Sequence, residues 1–460
     1  RDWTRILASD GYEWGSDVAI SNDNFIYLVG SGNTDLDGQK HNGAGYQDIV
    51  IAKYDIDEIV NLYKFLHTNP ELSWQEDKTA SHLANILETY GYKVTRGVGK
   101  KGVVAILENG KGPTLMIRAD MDALPIEEKT NLEYASKVRQ INRFGKEVPV
   151  MHACGHDIHM SVLIGTAKNL ISMKDKWSGT LMLVLQPAEE VGQGSLAMLE
   201  DGLFKKFPRP DFNLALHVGG MAPAGTIGYQ LGYAMANVDS VDIIVNGVGG
   251  HGAYPHTAID PIVLASQIVL ALQTIVSRKI DPLEPAVVTV GSIHGGFKHN
   301  IISEEVRLQL TLRSYSDEVR EKTIEEIKKI VKGLSIAAGL PENKMPKVLL
   351  KDEYTPALYN DPEFSKKVLN FISKEIGDEN VNEIPAVMGG EDFARYGRQD
   401  PKIPSLLFWL GGTSKENWKK YQNNEIEMVS IHSPFFAPDP KPTITTGVKA
   451  MTASALGLLK

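Results

Sequence analysis

Thr114-Leu-Met-Ile-Arg-Ala-Asp-Met-Asp122 is a short apolar run that ends abruptly in an arginine and two aspartates. Apolar without alternation, Thr114 to Ile117 reads as a strand buried on both faces. Outward from it the same device recurs. Thr180 to Leu185 reads as a strand ending in Gln186-Pro-Ala-Glu189-Glu190, and Asn213 to Leu216 as one ending in His217. Val103 to Leu107 is a further strand. Helical spacing covers Ile56 to Thr68, Glu76 to Tyr90 with Gly91 as its stop, Ser161 to Ser172 and Ser195 to Glu200. Past the middle of the chain the pattern resumes with a helix at Pro362 to Ile376, a strand at Ser405 to Leu410 and a final helix from about Thr446. Buried strands alternating with helices predict an α/β fold, its sheet covered on both faces.

Between these halves the order changes. Val241 to Val245, Ala286 to Ile293, Glu305 to Arg313 and Lys347 to Leu350 read as strands, and Pro261 to Ser277 and Asp317 to Ala338 as helices. That order is βαββαβ, the ferredoxin-like split motif. The expected architecture is a catalytic α/β domain over 55–237 and 352–460, with an α+β domain over 238–351 inserted into it. The inserted sheet has an open edge that is expected to pair across a two-fold axis, giving a homodimer.

Composition excludes some classes. The net charge of -9 over 460 residues argues against a nucleic-acid partner, which needs a basic face. The best membrane candidate, Ile262 to Val276, is broken by Ser266, Gln267, Gln273 and Thr274 and reads as a packed helix. The single cysteine, Cys154, permits no internal disulfide. A chain that begins at Arg1 rather than Met is expected to be a processed or trimmed product, leaving both the cytoplasm and export open.

In α/β sheets, ligands bind outside the carboxyl ends of the strands. Asp120 and Asp122, Glu189 and Glu190, and His217 all fall there. Met151-His-Ala-Cys-Gly-His-Asp-Ile-His159, just before the Ser161 helix, adds a thiol, imidazoles and an acid. Cys154 and His156, two apart in an extended stretch, project to one side and can converge on metal. A buried cysteine beside a capping histidine, or a nucleophilic Cys–His pair, accounts for those two residues as well. Asp157 and His159 are placed to orient ligands through hydrogen bonds, as is Asp122; His159 reads equally as a helix N-terminal histidine. Adjacent Glu189 and Glu190 repel unless something positive lies near, and one can bind metal while its neighbour stays free as a base. His217 and His432, each read alone, are ordinary core histidines.

Taken in order, RADMDALPI (118–126), MHACGHDIHMSVLIG (151–165), QPAEEVGQG (186–194), ALHVG (215–219), GGHGAYPH (249–256), MGGEDFARY (388–396) and IHSPFF (431–436) resemble the M20 metallopeptidase family. The likeness is to its aminoacylase/carboxypeptidase branch, subfamily D, which includes hippurate hydrolases, and it covers residues 55–460. The resemblance implies a metallopeptidase-type mixed sheet and two divalent metal ions (zinc, manganese, cobalt or nickel) bridged by Cys154. Glu190 and His432 would complete one metal, and His156 and His217 the other. It implies Glu189 as general base towards a water activated by the metals, and His251 reaching a substrate oxygen, usually from the partner subunit. Asn300 and Arg313 match positions that bind the substrate carboxylate. The implied reaction is hydrolysis of the amide bond of an N-acyl amino acid or of the C-terminal residue of a short peptide. A deacylase of a biosynthetic N-acyl intermediate is the runner-up, and a non-catalytic binding protein the rival class. Val191, Ser303 and Pro440 depart from the family's usual residues, and none of them is a metal ligand.

Residues 1–54 stand apart. Trp3 to Leu7, Asp17 to Ser21, Phe25 to Ser31 and Asp48 to Tyr54 read as four antiparallel strands, with a turn at Asn22-Asp-Asn24. The segment resembles one unit of the bacterial β-propeller repeat called SBBP, and Asp35-Leu-Asp37-Gly38 reads as a polar turn rather than a calcium loop. One blade buries its face only on neighbours.

Overall fold

A computed structural model describes residues 56–460 except Glu353, together with the backbone of 18–20, 25–32 and 48–55. Those three short strands form an antiparallel sheet in chain order, with Val18 opposite Leu28 and Ile26 opposite Tyr54. The expected strand at Trp3 to Leu7, the 22–24 turn and the Asp35–Gly38 turn lie outside the described residues.

The main sheet has eight strands. Its centre is four parallel strands, in the order Ser405–Thr413, Phe212–Pro223, Thr114–Asp120 and Gly179–Gln186. Antiparallel neighbours flank them: Gly102–Asn109 and then Lys93–Val98 on one side, Ile227–Tyr229 on the other. Val381–Glu383 closes the sheet beyond Ile227–Tyr229, parallel to it. The alternation within the central strands explains their unbroken apolar character. Leu115 and Ile117 join Leu181, Leu183 and Leu185 under the helices Ile56–Thr68, Asp77–Thr89, His156–Ser172, Pro362–Ile376 and Pro440–Leu458. Met116, Met182 and Val184 point the other way, onto Met198, Leu203, Phe393 and Tyr396. Each such side chain contributes about 1.5–3 kcal/mol on burial. Both faces are therefore needed to hold the strand ends that carry polar groups.

Residues of the inserted region form a second, four-stranded antiparallel sheet in the order Ala286–Gly295, Glu305–Ser314, Asp239–Asn246, Lys347–Leu350. In chain order this is 2-3-1-4, the ferredoxin-like arrangement. The helices Pro261–Arg278 and Asp317–Ala337 pack on it through Leu264, Ile268, Leu272, Ile327 and Val331. Their starts follow from local chemistry: Asp260 accepts from the Ile262 amide and Ser316 from the Val319 amide, caps worth about 1 kcal/mol each. Pro261–Arg278 is the one described helix long and apolar enough to cross a membrane by length and composition. Here it lies on the sheet, with Ile262, Val263 and Leu270 exposed on its outer side.

Several elements run further than the sequence pattern indicated. The strand carrying His217 continues to Pro223, so His217 sits within it rather than at its end. The strand from Thr114 includes Arg118 and Asp120. The helix expected from Ser161 starts at His156, and the last helix starts at Pro440 behind Asp439.

Candidate active site

Gly155 explains why the helix starts early. It takes φ +81°, and a Cβ there would meet Val218 Cγ1 at 2.3 Å. Only glycine lets the chain turn this close to the neighbouring strand. Cys154 and His156 thus flank a loop-to-helix turn, not the extended stretch expected, and yet their side chains converge.

Cys154 Sγ stands 3.4 Å from His217 Nε2 and 3.2 Å from His432 Nε2. Glu190 Oε2 is 3.6 Å from His432 Nε2, and Glu190 Oε1 is 3.8 Å from His156 Nε2. Two sets of possible ligands share the thiol: Cys154, His156 and His217, and Cys154, Glu190 and His432, the atoms of each set within 4.8 Å of one another. Ala188 (φ 51°) and His432 (φ 64°) hold left-handed backbone there without being glycine, strain of the kind found at functional sites.

Protonation favours cations in this cluster. His217 Nδ1 donates to Val218 O at 2.8 Å, and His156 Nδ1 to Asp122 O at 2.7 Å. A carbonyl only accepts, so Nδ1 is the donor in each ring and Nε2 is turned to the cluster, where a lone pair is exposed once the ring is neutral. His156 Nε2 and Glu190 Oε1 are buried with no hydrogen-bond partner. Burial, then the charges of Glu190 and Glu189, push the Cys154 thiol well up. Burial raises Glu190 to about 8 and, with Glu391 and Glu190, holds Glu189 well above the carboxylate range. Burial works against His156, but Asp120 and Asp122 bring it up to about 10. The buried cluster holds on to protons. Divalent cations would displace those protons and take the free lone pairs.

Asp122 positions the glutamate pair. Its carboxylate accepts the amides of Glu189 and Glu190 at 3.0 Å each, and the Ser73 hydroxyl at 2.6 Å. Glu76, unnoticed in the sequence, accepts the Ala188 amide at 2.8 Å. His159 donates from Nδ1 to Asp120 at 2.6 Å and accepts the Val218 amide on Nε2 at 2.8 Å, so both nitrogens are occupied and it orients rather than ligates. Asp120 also binds Arg118, which is fully buried. Arg118 reaches Gln186 at 2.9 Å, Asp120 at 2.7 Å, Glu391 at 2.8 Å and Asp392 at 3.0 Å. One guanidinium ties two strand ends to the 391–392 loop, whose acids lie beside Glu189.

Asp157 faces elsewhere. Its carboxylate meets His67 Nδ1 at 2.7 Å, and His67 Nε2 meets Glu128 at 3.0 Å. Only an imidazolium donates to both, and although burial opposes it, these bonds raise His67 to about 9. Replacing His67 by leucine leaves two buried carboxylates unpaired and is expected to cost about 3–5 kcal/mol. The raised pKa means that the stabilisation is full below the ordinary histidine value of 6.5 and is lost as pH rises through about 9. Urea denaturation of both proteins should show the gap wide at pH 6 and narrower above pH 9; a pH-independent gap contradicts the imidazolium.

Glu189, Glu190, Val191, Ser240, Arg313 and His432 line one cavity of about 290 Å³, together with Arg143. Arg313 donates to Thr311 Oγ1 at 3.2 Å. His251 and Asn300 do not line it. His251 is exposed on the strand Gly250–His251, which pairs with Ile301–Ile302. Asn300 adjoins that pair, with its Oδ1 buried and unpartnered.

Comparison with known proteins agrees with this geometry. The model of peptidase family M20/M25/M40 matches residues 116–433. Thermostable carboxypeptidase 2 of Saccharolobus solfataricus is 36% identical over 372 residues, 80% of this chain and 89% of its own. N-acetyldiaminopimelate deacetylase of Bacillus subtilis is 38% identical over 362 residues, 78% of this chain and 91% of its own. Among solved structures, a dinuclear metal-binding M20 peptidase of Bacillus subtilis superposes with a TM-score of 0.69 at 30% identity, covering 88% of this chain and 98% of its own. The chain belongs to peptidase family M20/M25/M40. It is a metal-dependent hydrolase of amide or peptide bonds, built on the mixed α/β fold of that family.

Proposed function

We propose that the chain removes the acyl group from N-acyl amino acids or the C-terminal residue from short peptides, with Glu189 as general base. The observation that carries this reading is the pair of ligand sets sharing Cys154, with the adjacent carboxylate of Glu189 in neither of the two. A structural metal site is saturated by its ligands and has no use for a spare glutamate, which speaks against a non-catalytic binding protein.

Cys154, His156 and His217 would hold one cation, and Cys154, Glu190 and His432 the other. When bound, the cations would lower the pKa of a water and polarise the scissile carbonyl; zinc, manganese, cobalt and nickel all suit these donors. Glu189 takes the proton of the attacking water and delivers it to the leaving nitrogen. Asp122 keeps that carboxylate beside its ligand neighbour through the two backbone amides. Arg313 holds the carboxylate of the released amino acid. His251 and Asn300, off the cavity in their own chain, complete it from a second copy. Two features support such a homodimer: the apolar outer side of Pro261–Arg278 and the free edge of the strand Ala286–Gly295. The catalytic unit comprises 55–237 and 352–460, the inserted one 238–351, and the branch is subfamily D. The N-terminal strands are one SBBP-like repeat appended to it.

A deacetylase of a biosynthetic intermediate is the same chemistry with a smaller acyl group, and the 38% identity to N-acetyldiaminopimelate deacetylase favours it as the second reading. The test is a hydrolysis screen of N-acyl amino acids, dipeptides and C-terminally blocked peptides with each of the four metals. Turnover of free-carboxylate substrates alone supports the proposal; no turnover anywhere sinks it. Arg313→Ala should raise KM for free-carboxylate substrates by about tenfold or more; an unchanged preference for the free acid removes Arg313 from its role.

A further inference from the structure

Glu76 stands where the helix Asp77–Thr89 begins, yet its side chain does not cap that helix. A capping side chain accepts the amide of the second or third helical residue. Here Glu71 does so: its carboxylate accepts the Thr79 amide at 2.8 Å and the Lys78 amide at 3.3 Å. Glu76 instead reaches away from its own helix, to the amide of Ala188 at 2.8 Å, 112 positions on. It is fully buried, and its other oxygen, Oε2, has no hydrogen-bond partner. Burial, then the charge of Asp122, push it up to about 8. Two acids kept close in the interior cost stability, so packing alone does not account for Glu76.

The Ala188 amide is the first of three. Those of Glu189 and Glu190 follow, both on the Asp122 carboxylate at 3.0 Å. Three successive N–H groups thus end on two buried carboxylates from different elements, one at the start of a helix and one just past the strand Thr114–Asp120. A left-handed residue turns successive amides to one side, and Ala188 is that residue (φ 51°). A residue other than glycine keeps such a backbone only where its surroundings fix it, and Glu76 is bonded to the amide of this very residue. The far side of the turn is closed by the Gly192 amide on the Glu189 carbonyl at 2.7 Å and the Gly194 amide on the Ala188 carbonyl at 3.1 Å. Ser73, from the same loop as Glu76, donates to Asp122. One loop therefore bears on both carboxylates that grip the turn.

Resting on the amide-hydrolase reading, we propose that Glu76 is a positioning residue: by holding the Ala188 amide it aims Glu189 at the attacking water and Glu190 at its cation. Its part is to place an acceptor at that reach, not to supply a charge.

The test uses the full chain with cobalt(II) as the metal. Cobalt binding to the metal-free chain is followed by equilibrium dialysis. On the loaded chain, kcat and KM are measured with a substrate found in the hydrolysis screen. Glu76→Ala should lower kcat about 10–100-fold with KM within about threefold, and weaken one of the two cobalt ions about tenfold or more. Glu76→Asp, one methylene short of the amide, should follow alanine. Glu76→Gln keeps an acceptor of the same length and should stay within about threefold of wild type in both readouts. Wild-type kcat and cobalt affinity in the alanine and aspartate variants overturn the assignment, even where their melting temperature falls. A glutamine variant as impaired as alanine overturns it too. Where alanine prevents folding, aspartate against glutamine decides. A wild type without turnover overturns the amide-hydrolase reading, and cobalt affinity alone then decides whether Glu76 holds Glu190 in place.

Discussion

Replacing Glu189 by glutamine is expected to lower kcat by about three orders of magnitude while metal content stays at the wild-type level. Glutamine has the size and polarity of the glutamate but cannot take a proton, and positioned general acid–base groups contribute about 10²–10⁴-fold. The backbone of residue 189 is held by Asp122 whatever the side chain, and Glu189 belongs to neither of the two sets that share Cys154. The substitution therefore separates the proton transfer from the binding of cations. Activity within tenfold of wild type, measured with metal stoichiometry on the same preparation, would remove Glu189 from the base position.

Cys154→Ala is expected to act through the opposite route. Both candidate ligand sets contain this thiol, so its loss should reduce bound metal to at most one ion per chain. Activity should fall by at least the roughly 10–100-fold that loss of an outer hydrogen-bond partner costs a metal site. Metal analysis after dialysis and kcat/KM with saturating metal check the two parts separately. The competing role, a cysteine nucleophile, predicts lost activity with metal unchanged. The surroundings of the thiol oppose that role: it is buried, and neighbouring carboxylates push its pKa up rather than down, the reverse of an activated nucleophile.

Much of this site could be read from the sequence because strand ends announce themselves. The apolar runs at Thr114, Thr180 and Asn213 stop where polar groups begin, and parallel pairing brings those ends to one edge. The ferredoxin-like unit was legible because its strands alternate and its helices carry ordinary caps at Asp260 and Ser316. The helix from His156 was less so. It is buried almost all round, so it has no polar stripe, and His156, Asp157 and His159 interrupt the apolar pattern where it starts. Its true marker was Gly155, whose need for a left-handed turn depends on Val218, sixty-three residues further on. Asp439-Pro440 did carry a signal for the last helix, proline at the first helical position, obscured by the second proline at 442.

What local pattern cannot carry is long-range pairing between polar groups. Arg118 and Glu391 are 273 positions apart, and nothing near either shows that one guanidinium holds Asp120, Glu391 and Asp392 together. The same holds for Asp157. Its place beside His156 made it a natural helper of the metal ligands, but its carboxylate is engaged by His67 from a helix 90 positions earlier.

We propose that two cations would share Cys154, one completed by His156 and His217 and the other by Glu190 and His432. Anomalous diffraction from crystals of the cobalt-loaded protein tests it most directly. Two anomalous peaks per chain are expected, both within bonding distance of Cys154 Sγ. A single peak, or two peaks neither of which touches Cys154, would contradict it.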